Sequence, residues 1–485
     1  MTIHSALLDL LNAGDRLIMD PVHGGIPLFS HEVRIIDHPW FQRLRFICQN
    51  DILSYVFPGA THSRFLHSIG TAHVGGRLWL GLVETSLIRA QQAGIDYDAA
   101  AVMEATASLY RLVRLACLLH DCGHSSFSHQ FERTPTLHAW LNEPDLHQAL
   151  QQRCPELKLS DRQPVAHEHY SALIAAEILD ATHFRDSTLS AGDVLSLMDA
   201  TDGRPGPGML AAMKEIWPVL TCDPDSPPDI QGLLTLLRSL VSGEMDADRA
   251  DYLMRDSFHA SVTLGGFNLD HLAKNLYVGW DPDSRWLGIA VSRKGLGALE
   301  DFVYSRYQMY RKVYGHKTSI GFDWLLRQAI EEVLRNTPCG EEVRNALEHP
   351  ESYCQLTDNY FWEAFRRYGQ LHPDSYSAMM TRRQRLKHVL TLQNGGTEHR
   401  DVKADLARKH GVSPTRIIHC SLPIRFTRIN ADYTGIRYAQ RNSLKSGARP
   451  SYVPLVQASD FFSKFEDRML THFYVLPDEA PPPAV

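Results

Sequence analysis

The stretch Leu112–Glu132, LVRLACLLHDCGHSSFSHQFE, decides how this chain is read. Leu112 to Leu119 are apolar at helical spacing, and the helix they predict runs into His120-Asp121, the only His-Asp pair in the sequence. His124 and His129 follow Asp121 by three and eight residues. Upstream, THSRFLHSIG (61–70) places His62, Arg64 and His67 at a helix start; downstream, DADRADYLMRD (246–256) supplies Asp246, Asp248, Asp251 and Asp256. Imidazole nitrogen suits zinc, iron or manganese, and carboxylate oxygen adds charge compensation. Neighbours on one helix project about 100° apart, so His120 and Asp121 can share an ion only if it sits between several helices. Taken alone, a His-Asp pair reads as readily as a surface pair or a core histidine. The flanking blocks decide the matter.

Outward from this stretch, 485 residues predict about three domains, or one large domain with an appendage. Lys and Arg number 49 against 56 Asp and Glu, a net −7; 44% of residues are hydrophobic and 22% charged. That profile excludes a disordered chain and a disulfide-built miniature, and it lacks the basic excess of a general nucleic-acid binder. The eight cysteines are scattered without a CxxC pair, as expected for reduced, packed thiols. The N-terminus MTIHSALLDLLNAGD has no basic leader, and no apolar run approaches the ~20 residues that span a bilayer. The expectation is a cytoplasmic protein that does not enter membranes.

Helix-period patterning dominates the first two thirds, clearest in Leu299–Tyr314 and in Ile320, Phe322, Leu325, Leu326, Ala329, Ile330, Val333 and Leu334. Thr201–Gly208 and Asp223–Asp229 read as insertion loops, and 134–163 as a poorly periodic excursion. After about Asn336, β-like runs (Arg416–Ser421, Pro423–Arg428, Arg449–Val456) alternate with helical pieces (Asp401–His410, Ser459–His472), ending in a frayed DEAPPPAV tail. The predicted class is mainly α: a helical catalytic core over 1–335 and a smaller mixed α/β lobe over 336–485, serving oligomerisation or regulation.

The ordered blocks DPVHGGIPLFSHEVRIIDHPWFQRLRFICQ, YVFPGATHSRFLHSIG, CLLHDCGHSSFSHQFE, AHEHYS, DADRADYLMRD and SRYQMYRKVYGHK resemble the HD-domain phosphohydrolases. More narrowly they resemble the deoxynucleoside-triphosphate triphosphohydrolase branch, over roughly residues 15 to 320. The resemblance implies hydrolysis of dNTPs to a deoxynucleoside and inorganic triphosphate, by metal-activated water attacking the α-phosphorus. It implies a metal set of His67, His120, Asp121 and Asp248, holding iron, manganese, zinc or nickel, with magnesium accompanying the substrate phosphates. Asp246 and Asp251 are then neighbours that do not ligate.

It also implies catalytic roles for His124, His129 and His167, with Glu132 where relatives have aspartate. His129 is the expected acid for the departing 5′-oxygen, with Glu132 holding it on one helical face. Arg64, Arg249, Arg306 and Tyr252 match phosphate contacts, Gln49 and Asp256 match residues on the 3′-hydroxyl side, and Tyr314 matches the residue stacking on the sugar. Arg249 stands where the vertebrate relatives have lysine, a planar fork in place of a point charge. Tyr310 replaces a histidine and Asn50 a leucine, which bears on sugar and base selectivity. Arg306, Tyr310 and Tyr314, spaced by four, fall on one helical face, which an aromatic core stripe would do equally.

Relatives are often nucleotide-activated oligomers. Asp37, Gln42 and Arg45 match an activator site, so a GTP or dNTP activator and a homodimer or homotetramer are expected; Met19 and Ala298 replace two asparagines of that scheme. Basic clusters at 381–387 and at Arg437, Arg441, Lys445 and Arg449 could meet a nucleotide or single-stranded nucleic acid, although such faces are commonly only solvated. Two rivals stand beside the dNTPase reading. One is a phosphodiesterase or nucleotidase acting on monophosphates, other nucleotides or oligonucleotide ends; the other is a non-catalytic nucleotide sensor or nucleic-acid-binding scaffold.

Overall fold

A computed structural model describes residues 3–160, 163–184, 188–394, 399–430, 432–440, 450–465, 467–478 and 480–481. Its centre is the helix Arg64–Ala93, most of whose residues between Phe65 and Ala90 are buried. Against it lie the helices Ala99–Leu119, Pro207–Thr221 and Ala247–His259. Side chains added at Gly75 or Gly76 would strike Cys117 Sγ or the Tyr110 ring, so these glycines let the first two helices approach closely. The turn between them uses Gly94 at φ 70° as a C-cap, and Asp98 then accepts from the Ala100 and Ala101 N–H groups to start the next helix.

Strands β1 (Arg16–Asp20) and β2 (Gly24–Leu28) form an antiparallel hairpin over this core. Glu32 and Arg114, both fully buried, fasten the N-terminal segment through two hydrogen bonds of 2.7 and 2.8 Å. A second hairpin, β3 (Leu276–Asp281) and β4 (Trp286–Val291), precedes the helices Leu296–Met309 and Lys317–Asn336. The predicted Leu299–Tyr314 helix is real, but its last turn, Tyr310–Tyr314, is a π-turn closed by Gly315 N–H to the Tyr310 carbonyl at 2.8 Å. Across this turn Tyr310 and Tyr314 stay side by side, their ring centroids 5.1 Å apart.

Residues after 336 do not turn to strand at once. Helices Cys339–Leu347, Asp358–Leu371 and Tyr376–Thr381 come first. Strands β5 (Lys387–Gln393), β6 (Ile417–Ile424) and β9 (Arg468–Val475) then form one sheet in the order β5-β9-β6, with His399–His410 beside it. Strands β7 (Ile436–Gln440) and β8 (Ser451–Pro454) join the β3-β4 hairpin, β7 pairing parallel to β4.

Three sequence expectations need correction. Ser459–His472 is not a helix: only the single turns Leu455–Ala458 and Asp460–Ser463 are helical, and β9 begins at Arg468. β9 is the central strand, buried on both faces, so it lacks the alternation that marks a half-buried strand. The first run, 416–421, and the start of the second, 423–428, are one strand, β6, which passes through Pro423 because that residue sits on an edge where its missing N–H costs no ladder bond; it ends at Ile424, and 425–428 is loop. The 134–163 excursion contains the helices Pro135–Trp140 and Pro144–Arg153, each opened by a proline that fits the first turn. Thr201–Gly208 is a loop until Pro207 opens a helix. Arg441, Lys445, Arg449 and most of the tail lie outside the described residues.

Candidate metal centre and its surroundings

Three helix ends meet beside the core. His67 sits in the first turn of Arg64–Ala93, His120 closes Ala99–Leu119, and Asp248 opens Ala247–His259. Asp246 caps this last helix, accepting from Arg249 N–H and Gly243 N–H, each at 2.7 Å, which fixes where Asp248 emerges. One ligand atom from each of His67, His120 and Asp248 lies within 4.8 Å of the others. His67 Nε2 is 3.0 Å and His120 Nε2 3.6 Å from Asp248 Oδ1. Asp121 stands alongside, 3.7 Å from His67 Nε2 and 3.4 Å from His120 Nε2.

The tautomers decide what this cluster can hold. His67 Nδ1 faces Asp251 Oδ2 at 2.8 Å, and His120 Nδ1 faces the Cys117 carbonyl at 2.7 Å, so in each neutral ring Nδ1 carries the hydrogen. In the neutral rings both Nε2 atoms are therefore lone pairs, buried with no donor to satisfy them and turned toward a carboxylate. Acceptors crowded against acceptors need a cation between them. A proton is one: burial opposes charge on His67, but hydrogen bonds to Asp248 and Asp251 outweigh it and raise its pKa to about 10. A divalent metal is the other, and two imidazoles with one or two carboxylates suit it. Asp251 is the partner that orients His67: it also accepts from His23 at 2.6 Å and from Arg255 at 2.8 and 2.9 Å, and Arg255 reaches Asp20 at 2.7 Å.

Beside the centre, three more histidines form a cluster. His124 stacks on His167 with ring centroids 3.7 Å apart, and His129 meets both edge-on at 5.3 and 5.2 Å. His124 Nε2 is 3.6 Å from Asp121 Oδ1, which links the cluster to the metal residues. Glu132 was expected to hold His129. It is 3.7 Å from His129, but its shorter contacts go to His167, at 3.0 Å from Nδ1 and 2.8 Å from the backbone N–H. The reason is the helix start at His167, whose exposed N–H groups attract a carboxylate. Burial lowers the His124 pKa far below its usual value, with Arg64 and His167 adding to the effect. Burial likewise opposes charge on His167, but Glu132 and Glu168 outweigh it and raise that pKa.

The residues matched to phosphate contacts are gathered here, already paired with acids. Arg64 donates to Asp121 Oδ2 at 2.5 Å and to Ser128 Oγ at 2.9 Å. Arg249 and Arg306 approach opposite oxygens of Glu244, at 3.0 and 3.7 Å. Tyr252 and Tyr310 flank Tyr314 at 6.4 and 5.1 Å, and Arg306 lies 5.2 Å over the Tyr310 ring. Asp256 binds Tyr314 at 2.5 Å and His62 at 2.8 Å, while the buried Gln49 Oε1 has no hydrogen-bond partner.

Asp37, Gln42 and Arg45 lie on the outer surface. Gln42 accepts from Arg45 at 2.7 Å, Arg45 covers the Phe65 ring at 3.5 Å, and Asp37 pairs instead with Arg16 at 3.3 Å. Met19 nearby in sequence is 72% exposed, whereas Ala298 is buried. Arg43, between these surface residues, turns inward and donates to the Cys122 and His124 carbonyls at 2.9 and 2.7 Å. Sequence reasoning assigned no role to Arg43, His23 or Glu244. His23 lies within a block already singled out; Glu244 carries no local signal, since its importance depends on residues far along the chain.

Residues 64–202 match the model of the HD domain. That span holds His67, His120, Asp121, His124, His129 and His167. The chain carries an HD domain. Over a longer stretch, the chain is 28% identical across 359 residues to the human deoxynucleoside triphosphate triphosphohydrolase SAMHD1, covering 72% of this chain and 50% of that protein. An uncharacterized protein of Methanocaldococcus jannaschii is 24% identical over 73% of this chain and 58% of its own length. The chain thus spans about half the length of the curated relatives it matches. A phosphohydrolase from Bacteroides thetaiotaomicron superposes with a TM-score of 0.60 at 23% identity, over 95% of this chain and 100% of that one. The HD-domain fold, mainly helical with small sheets, is the fold anticipated from the sequence.

Proposed function

We propose that this chain hydrolyses deoxynucleoside triphosphates to a deoxynucleoside and inorganic triphosphate. The observation that carries the reading is the pair of partnerless Nε2 lone pairs on His67 and His120, aimed at Asp248 beside three further histidines. His67, His120, Asp121 and Asp248 would hold a divalent ion, which when bound activates water and neutralises phosphate charge. The chain's own residues do the rest. Asp251 and the Cys117 carbonyl hold the Nδ1 side of each ring, which turns both Nε2 atoms toward the ion's place. His129, half exposed at the rim, hands a proton to the departing 5′-oxygen. Glu132 stands between His129 and His167 and ties the two imidazoles together. Tyr314, fixed by Asp256, floors the sugar.

The likeness to SAMHD1 supports dNTPs as the substrate, magnesium as the companion of their phosphates, a GTP or dNTP activator at Asp37, Gln42 and Arg45, and a homo-oligomer. No helix among the described residues is long and apolar enough to cross a membrane, and a cytoplasmic setting is part of the proposal. Metal-loaded protein offered each dNTP and NTP, with and without GTP, tests it by chromatography. Release of inorganic triphosphate supports the reading; release of only phosphate or pyrophosphate overturns it. One observation favours a second reading, a nucleotidase or phosphodiesterase: the three arginines expected to meet a polyphosphate are already paired with Asp121 and Glu244.

A further inference from the structure

Glu244 lies two residues before the cap of the Asp248 helix, and its side chain is 2% exposed. One carboxylate oxygen meets Arg249 Nη1 at 3.0 Å, and the other is 3.7 Å from Arg306 Nη1. That second oxygen also accepts from Thr427 Oγ1 at 2.7 Å and from the Arg428 N–H at 3.0 Å, so the loop after β6 pins it. Arg306 Nε and Nη1 are buried and form no hydrogen bond. The carboxylate therefore holds Arg306 Nη1 by charge alone and leaves Nε and Nη1 unsatisfied, poised for a closer oxygen anion.

We propose that Glu244 is a specificity-determining residue: its carboxylate fills the anion position between Arg249 and Arg306, so a polyphosphate tail enters only in competition with it. This rests on the reading of Arg249 and Arg306 as the polyphosphate side of the site. A carboxylate between two guanidiniums resembles a phosphate group in charge and hydrogen-bonding capacity. Because Thr427 and the Arg428 N–H tether it, it cannot swing clear when a phosphate arrives. A single phosphate at the metal residues does not need the Arg249–Arg306 gap; a longer tail does. Glu244 thus weighs against long, highly charged tails, and the pocket's preference for phosphate length depends on it.

The test is calorimetric binding of inorganic tripolyphosphate, pyrophosphate and orthophosphate to metal-loaded protein, wild type against Glu244→Gln. The amide oxygen still accepts from Thr427 and Arg428, so the loop keeps its anchor while the charge is gone. Charged hydrogen bonds have a strength that corresponds to about tenfold or more in affinity. Tripolyphosphate should tighten at least about tenfold, and orthophosphate by less than about threefold. Thr427→Val, which loosens the tether and keeps the charge, should move tripolyphosphate in the same direction by a smaller factor. Unchanged or weaker tripolyphosphate binding in Glu244→Gln overturns the proposal, as does an equal gain for all three anions. Binding that shifts as expected in a protein that turns over no dNTP sinks the dNTPase reading and leaves this one standing.

Discussion

Replacing Asp251 with asparagine probes the metal centre from behind. Asp251 is fully buried and receives four short contacts: His67 at 2.8 Å, His23 at 2.6 Å, and Arg255 at 2.8 and 2.9 Å. The arginine groups and His67 Nδ1–H are donors, so an amide NH2 must face at least one donor head-on. Arg255 would keep only Asp20, at 2.7 Å, as a charge partner. Removing one member of a buried ion pair costs about 3–5 kcal/mol, and disturbing the partner of a metal-ligating histidine costs about 10–100-fold in metal affinity. Chelator competition with Mn2+, alongside thermal unfolding, reads both quantities. His23→Gln, which removes one contact, should weaken the metal several-fold less and guards against a variant that fails to fold. Metal affinity in folded Asp251→Asn within about twofold of wild type would refute the orienting role of Asp251.

Other expectations follow from the same geometry. A methyl group at Gly70 would lie 2.0 Å from Asp251 Oδ1 and 2.2 Å from Arg255 Nη2, so Gly70→Ala should lower both the unfolding midpoint and metal affinity; an unchanged midpoint would contradict the packing. Tyr314→Ala should raise the ATP-to-dATP ratio of kcat/KM by about tenfold or more, since a cavity opens where a 2′-hydroxyl is otherwise refused; an unchanged ratio removes Tyr314 from sugar selection. Burial lowers the His472 pKa from its ordinary 6.5 to about 4; the Gly315 carbonyl partly offsets this, while His388, His316 and Lys317 add to it. Its Nε2 faces the Gly315 carbonyl at 3.2 Å, so in the neutral ring Nδ1 accepts from the Thr391 hydroxyl at 2.8 Å. The folded state binds fewer protons than the unfolded one, so this stability is fully present above about pH 6.5 and lost as pH falls toward 4. His472→Gln should flatten that slope in acid unfolding curves; an equally steep slope would exclude His472 as its source.

Much of the site was legible because its chemistry-bearing residues sit in compact blocks at helix ends. His67, His120 and Asp248 were expected together and lie together. Asp121 was expected as their equal, yet it also accepts the Arg64 guanidinium, a long-range contact that spacing does not encode. Glu132 turned toward His167 because of a helix start 35 residues on, and Glu244 acquired meaning only through Thr427 and Arg428. Fold legibility followed the same division. Amphipathic helices such as Lys317–Asn336 show their period, whereas β9 hides its strand character by being buried on both faces. The π-turn at Tyr310–Tyr314 leaves no mark in residue spacing.

The central claim is that His67, His120, Asp121 and Asp248 share a divalent ion. Titration of Mn2+ followed by the paramagnetic resonance of the free ion, on wild type and Asp121→Ala, tests it most directly. One tightly held ion per wild-type chain is expected, and its loss, together with turnover, in Asp121→Ala. A folded Asp121→Ala protein that keeps the ion and hydrolyses nucleotide at the wild-type rate would contradict it.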